Sequence, residues 1–252
     1  MRTCLIGHTG FIGGNLLAQT SFDDVFHSKT IAGIAGRRYD LVVCAGVSAV
    51  KWWANQHPAA DRAGIDTLLQ PLAQVHAERF VLISTVDVLP VPEGATEATR
   101  IDPALGQPYG RHRLQVEDFV RDHFAHHHVL RLPGVFGPGL KKNVLYDLLH
   151  GNLVDRIDPD AAFQYYDTRR LWADVQKTMA LDLPLLHAAT PPLRTGDIAE
   201  RWFGLQLASK DGPHPRYDFR TMHDTAWGCA DGYLYSRAQV LADLGSWIQG
   251  AR

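Results

Sequence analysis

The chain has 252 residues, enough to bury a sizeable core as one large or two small domains. Its 25 Lys and Arg against 27 Asp and Glu leave a formal net charge of −2, which argues against a polybasic nucleic-acid surface and against an acidic disordered tail. Cys4, Cys44 and Cys229 form no C-x-x-C pair or disulfide framework, the apolar stretch 41–50 is far shorter than the ~20 residues of a membrane span, and Met1–Gly7 has no signal-peptide core. A reduced, cytoplasmic protein without membrane or nucleic-acid contacts is therefore expected.

Along the first 135 residues, short β-branched runs alternate with helical patterns, the signature of βαβ units and a doubly wound parallel sheet. Leu5-Ile6, Leu41–Cys44, Phe80–Ile83 and Val129–Leu132 read as buried strands, and Asp24–His27 as a further one. Ile65, Leu68, Leu69, Leu72, Ala73 and His76 follow helical spacing, with a kink or restart expected near Gln70 because Pro71 interrupts the pattern. A second helix is expected after Pro108, burying Val116, Phe119, Val120, His123 and Phe124. Beyond Leu132 a loop, 133–139, leads into a helix near Asn143–His150, a strand near Ala162–Tyr166 and a helix near Arg169–Ala180. The expected division is a domain over 1–135 built on the parallel sheet, to which the dinucleotide-binding signal described next belongs, and a smaller lobe over 136–252, interleaved with it.

The strongest local signal is Gly7-His8-Thr9-Gly10-Phe11-Ile12-Gly13, between the first strand and a helix carrying Ile12, Leu16 and Leu17. Glycines at this spacing allow a tight turn, a close approach to a pyrophosphate and packing of helix on strand, while the helix N-terminus offers N–H donors to the phosphates. Gly7, Thr9, Gly10, Phe11, Ile12 and Gly13 are thus candidate cofactor contacts. Where a carboxylate would mark NAD by holding the ribose 2′-hydroxyl, the second strand ends in Ser28-Lys29. A hydroxyl and an ammonium suit a 2′-phosphate, so NADP is favoured over NAD; the plainer reading of Lys29 is a solvated lysine.

Two further pieces suit proton transfer. Ser84-Thr85-Val86-Asp87 ends the strand after the long helix, and Tyr109 and Arg113, spaced i and i+4, share a face of the next. A tyrosine becomes a useful general acid/base when a nearby cation favours its phenolate, and Thr85 offers a hydroxyl for a substrate oxygen. Lys51-Trp52-Trp53 follows Cys44-Ala45-Gly46, on a loop expected over the cofactor edge. These aromatics either line a pocket or cover the sheet. Asp87 is a substrate contact or a strand-end residue holding backbone, and Lys142-Asn143 meets a diphosphate or is exposed. His126-His127-His128 reads as a solvated turn rather than a metal site, and there is no G-x-S-x-G elbow.

With these residues in place, the chain resembles the extended branch of the short-chain dehydrogenase/reductase superfamily, the NAD-dependent epimerase/dehydratase family of nucleotide-sugar enzymes. Gly7–Gly13 matches its G-x-x-G-F-I-G turn, Thr85 its strand-end Ser/Thr, and Tyr109 the tyrosine of Y-x-x-x-K. Arg131–Gly139 is similar to its strand and loop leading to the substrate lobe, and Tyr166–Val175 to a later strand-to-helix segment. The resemblance implies an NAD(P)-dependent oxidoreductase on a sugar-nucleotide-like small molecule, by keto-sugar reduction or by epimerisation through a ketone. It implies Tyr109, Arg113 and Thr85 as the catalytic set, with Ala45, Gly46, Tyr109, Arg113 and Pro133 beside the cofactor. Thr85, Asp87, Lys51, Trp52, Lys142 and Asn143 would then face the substrate. A homodimer through 59–76 and 109–124 is implied too, and no metal.

The departures carry weight. Arg113 stands where the family has lysine, Asp61 and Gly64 lie where its supporting asparagine is expected, and Val86-Asp87 replaces the Asp-Glu pair of dehydratases. A dehydratase is disfavoured, and the alternative is a dinucleotide-binding regulatory or structural protein with altered catalysis.

Overall fold

The computed structural model describes residues 1–251. Contacts divide the chain into two units. The first comprises Met1–Pro90, Thr99–Arg131 and Arg169–Leu186, and the second Val91–Ala98, Leu132–Thr168 and His187–Arg252.

The first unit holds strands β1 (Thr3–Ile6), β2 (Asp24–Phe26), β3 (Arg38–Cys44), β4 (His76–Thr85) and β5 (His127–Leu132), with helices α1 (Phe11–Gln19), α2 (Lys51–Gln56), α3 (Pro58–Leu72) and α4 (Pro108–His123). With β9 (Leu185–His187) at its edge, the six-stranded sheet runs β2-β1-β3-β4-β5-β9. The pairs β1–β2, β1–β3 and β3–β4 are parallel. The strand order reverses between β1 and β3, where a doubly wound sheet opens its ligand crevice at the carboxyl ends of the strands. As in strands covered on both faces, Leu41–Cys44 and Phe80–Ile83 are buried as continuous runs. Phe80 stacks on Phe124 at 4.2 Å between centroids, within a core that includes Cys4, Ile6, Leu68, Val116 and Val120.

Several sequence expectations need correction. Helix α3 does not restart: it runs through Pro71 and ends at Leu72, and His76 is the first residue of β4. Pro71 lacks an N–H but sits so near the end that its ring does not break the element. Lys51-Trp52-Trp53 opens helix α2 instead of lying on a loop. Strand β2 ends at Phe26, before His27, and Leu17 is 39% exposed while Leu16 is fully buried. His127 and His128 belong to β5, and His128 is buried with Nδ1 bonded to the Leu183 carbonyl oxygen at 2.8 Å, so the triplet is not a solvated turn.

The second unit contains β6 (Gly134–Phe136), α5 (Val144–His150), β7 (Ala162–Phe163), β8 (Tyr165–Asp167), β10 (Leu193–Arg194), α7 (Thr195–Phe203) and α8 (Arg237–Ala251), whereas α6 (Leu171–Ala180) lies in the first. The single strand expected over Ala162–Tyr166 is two, pairing with different partners: β7 with β10 and β8 with β6. Buried Gln164 separates them. Its amide donates to the carbonyls of Thr190 and Phe219 at 2.6 and 2.9 Å and accepts from the Phe219 N–H at 3.0 Å. Phe136, Leu145, Tyr165, Ile198, Leu244 and Trp247 lie in this unit's core.

Candidate active site

The glycine turn is built as its spacing demands. Gly7 adopts φ +89°, and a Cβ there would lie 2.4 Å from the Ala45 carbonyl oxygen, so the end of β3 closes directly on the turn. A Cβ on Gly13 would lie 2.2 Å from the Gly7 oxygen, which fixes how tightly α1 packs against the loop. Gly10 is the N-cap of α1, in extended conformation; no side chain caps the helix and no acidic residue occupies its first turn. Its leading N–H donors therefore retain the ordinary affinity of a helix N-terminus for an anion.

Past β2, residues 27–30 form a turn in which the Thr30 N–H donates to the His27 carbonyl at 2.9 Å and the Lys29 N–H to His27 Nδ1 at 3.3 Å. Ser28 and Lys29 are exposed at its tip, and no carboxylate stands there. Asp24 sits at the opposite end of the strand, tied to Arg2 at 2.8 Å and to the Tyr39 hydroxyl at 2.9 Å. His8, which sequence reasoning passed over, joins turn to strand: its Nδ1 is 3.0 Å from the Phe26 carbonyl oxygen, and its ring meets His27 edge-on at 5.3 Å. Ala45 is half-buried and Gly46 exposed beside the turn, where a Cβ on Gly46 would lie 2.8 Å from Ile6 Cγ2.

Tyr109, Arg113, Thr85, Asp87 and Lys51 converge at the start of α4. A Cβ on Gly110 would lie 2.0 Å from the Asp87 carbonyl oxygen, so only glycine lets the turn after β4 press on α4 beside Tyr109. Thr85 Oγ1 accepts the Asp87 N–H at 3.2 Å, holding that turn. Asn55 Oδ1 accepts the Tyr109 N–H at 3.0 Å, one of the donors a helix start leaves unpaired, and Lys51 Nζ meets Asp87 Oδ1 at 2.7 Å. Trp52 is 65% exposed on α2, and the Trp53 ring packs against His57 at 5.4 Å.

Arg113 sits over the Tyr109 ring, its guanidinium carbon 3.9 Å from the centroid. Nη1 and Nη2 bind Asp61 at 2.5 and 2.9 Å, and Nη2 also donates to the Ser48 carbonyl at 2.5 Å. His112 Nδ1 completes the Asp61 carboxylate at 2.7 Å. Burial pushes the Asp61 carboxyl up, but the hydrogen bonds of Arg113 and His112 outweigh it and hold the group below its ordinary value. Burial dominates at Tyr109 and raises its phenol above the ordinary value, against the pull of the Arg113 charge. Arg113 Nε is buried without a partner. One turn further along α4, fully buried Glu117 binds Arg131 at 2.6 Å and accepts from the Ser84 hydroxyl at 2.5 Å, anchoring α4 to the end of β4.

Pro133, Lys142 and Asn143 belong to the second unit. Lys142 is exposed, and Asn143 caps α5, its Oδ1 accepting from the N–H groups of Leu145 and Tyr146 at 3.0 and 3.2 Å. In the same unit Asp158, Asp160 and His214 bring potential ligand atoms within 4.8 Å. Arg194 and Ser209 donate to Asp160 there, and His214 Nδ1 lies 2.9 Å from Asp158, so the group is a hydrogen-bonded network around one ion pair, Arg194–Asp160.

No curated protein matches the chain. Among solved structures, dTDP-4-dehydrorhamnose reductase of Bacillus anthracis, in complex with NADP, superposes with TM-score 0.75 at 14% identity, covering 100% of this chain and 99% of that one. UDP-glucose 4-epimerase of Thermotoga maritima, with UDP-glucose, gives 0.72 at 15%, with coverages of 99% and 98%. A double mutant of the dTDP-glucose 4,6-dehydratase of Streptomyces venezuelae, with NAD bound, gives 0.72 at 18%, with coverages of 99% and 97%. At such identities the likeness establishes the fold. The family model for the NAD dependent epimerase/dehydratase family matches residues 24–170, from β2 through the Tyr109 cluster to the segment before α6, leaving the glycine turn outside the matched stretch. More than half of the sequence being matched, this chain belongs to the NAD dependent epimerase/dehydratase family.

Proposed function

We propose that the protein is an NAD(P)-dependent oxidoreductase acting on a sugar-nucleotide-like substrate, by keto-sugar reduction or by epimerisation through a ketone. The observation that carries this reading is the convergence of Tyr109 and Thr85 at the carboxyl end of β4, with Arg113 stacked on the tyrosine ring. The neighbouring structures, a reductase with NADP and an epimerase with UDP-glucose, support the same class.

Two features fit a nicotinamide dinucleotide. The uncapped start of α1 behind the Gly7–Gly13 turn suits a pyrophosphate, and buried Arg113 Nε is a donor awaiting an acceptor. Gly7, Thr9, Gly10, Phe11, Ile12 and Gly13 would hold the phosphates, and Ala45 and Gly46 would border them. Ser28 and Lys29 would meet a 2′-phosphate, which favours NADP.

A bound nicotinamide supplies hydride exchange; the chain supplies orientation and proton handling. Thr85 would hydrogen-bond the reacting oxygen of the substrate, and Tyr109 would exchange a proton with that oxygen. Arg113 contributes a fixed positive charge under the tyrosine ring, which opposes the effect of burial on the phenol. Lys51, Asp87 and Trp52 lie on the elements that meet Tyr109 and would contact the substrate; the mechanism leans on none of Pro133, Lys142 and Asn143.

One observation favours the alternative of a dinucleotide-binding protein without turnover: both terminal nitrogens of Arg113 are engaged by Asp61 and Ser48, unlike a lysine free to reach a ribose. Hydride exchange separates the readings. Incubation with 4-deuterated NADPH or NADH and a panel of nucleotide-linked keto-sugars should give stereospecific label transfer to product. Cofactor binding with no transfer to any of the panel would favour the second reading.

A further inference from the structure

Arg113 leaves a task unfilled. Stacked under the ring and bound to Asp61, it cannot follow the charge on the Tyr109 oxygen as a flexible lysine does. Helix α2 brings a second cation to the cluster. Lys51 and Asn55 are i and i+4 and share one face. Asn55 binds the Tyr109 N–H at 3.0 Å, which docks α2 on the start of α4. One turn earlier Lys51 reaches Asp87 at 2.7 Å, and the Asp87 backbone is pressed against Gly110, next to the tyrosine.

We propose that Lys51 is a positioning residue for Tyr109, delivering from α2 the movable positive charge that stabilises the phenolate, while Arg113 supplies the fixed one. This rests on the reading of Tyr109 as the proton-transfer residue. The side chain of Lys51 is 45% exposed and that of Asp87 21%, so the pair stands at the open side of the cluster, whereas Arg113 and Asp61 are closed to solvent. Four charged groups act on the phenol: Arg113 and Lys51 favour its ionisation, and Asp87 and Asp61 oppose it. Asp61 and Arg113 are locked together in a buried pair, which leaves the Lys51–Asp87 pair as the adjustable part of this field.

The test places 3,5-difluorotyrosine at position 109, whose two ring fluorines report by ¹⁹F and whose phenol is more acidic than that of tyrosine, and titrates it by NMR in the full-length protein without cofactor or substrate. Lys51→Met should move the midpoint upward by roughly 0.5–1 unit, the size expected of a partly exposed charge. Lys51→Arg should return it to the wild-type position. Lys51→Gln repeats the measurement should the methionine variant fail to fold. A midpoint unmoved by removal of the Lys51 charge, or not restored by arginine, would overturn the assignment. The titration needs no turnover, so an unmoved midpoint alongside a Tyr109→Phe variant that loses hydride exchange would reject the role of Lys51 alone.

Discussion

Asp61 on α3 and Arg113 on α4, 52 residues apart in sequence, meet as a two-point ion pair with both side chains closed to solvent. Its desolvation cost is offset only because nearly every lone pair and donor has a second partner, His112 on the carboxylate and the Ser48 carbonyl on the guanidinium. Asp61→Asn leaves a buried guanidinium without counter-charge and should cost about 3–5 kcal/mol. Arg113→Lys keeps the charge but gives up the fork geometry and should cost about 1–3 kcal/mol. Urea unfolding checks both; variants as stable as wild type would show that the pair contributes nothing.

The same pair sets an acid limit. The Asp61 carboxyl is held below its ordinary value in the folded protein, so its stabilising contribution is complete above the unfolded value of ~3.9 and is lost as pH falls below that through the lower folded value. Wild type should therefore lose more stability than Asp61→Asn over that descent. Parallel losses in urea midpoints measured down to about pH 3 would contradict this.

The three glycines of the turn should separate folding from binding. Gly13→Ala forces a Cβ to 2.2 Å from a backbone oxygen and should destabilise by about 2–4 kcal/mol. The nearest atom to a Cβ on Gly10 is the Gly7 oxygen at 3.3 Å, so Gly10→Val should leave the melting temperature nearly intact while reducing dinucleotide affinity at least ~10-fold through lost backbone approach. Calorimetric titration of NADPH and NADH against both variants reads this directly, and unchanged affinity in Gly10→Val would move the phosphates elsewhere.

Assembly is a separate matter. Helices α3 and α4 pack side by side, joined by Arg62 and Gln115, and their outer faces are the surface through which a two-fold dimer would form. Light scattering should give twice the 28.0 kDa chain mass; a monomer at all concentrations would refute it.

What the sequence disclosed was what local pattern encodes. Gly7, Gly10 and Gly13 announce a turn because the three fall within seven residues between a strand and a helix, and the i, i+4 spacing of Tyr109 and Arg113 already put both on one face. The partner that decides the behaviour of Arg113 was beyond such reach: Asp61 is on another helix, and sequence proximity to an expected asparagine gave no sign of an ion pair. Asn55 was equally hidden, because a side chain that caps a helix from a different element leaves no mark in the capped helix. The helical stripe of α3 extended falsely to His76 because an apolar run entering a strand keeps matching the 3.6-residue period for one more turn. Gln164 splits a strand through its bonds to Thr190 and Phe219, loops distant in sequence.

The central claim, that Tyr109 moves the proton in a hydride-transfer reaction, is tested most directly by single-turnover kinetics of Tyr109→Phe with the substrate identified by label transfer. The substitution removes one hydroxyl from a ring that stays packed under Arg113, so cofactor affinity should hold within a few-fold. The chemical step should slow by ~10²–10⁴-fold, the loss typical of a general acid/base. A wild-type rate in Tyr109→Phe would contradict the account.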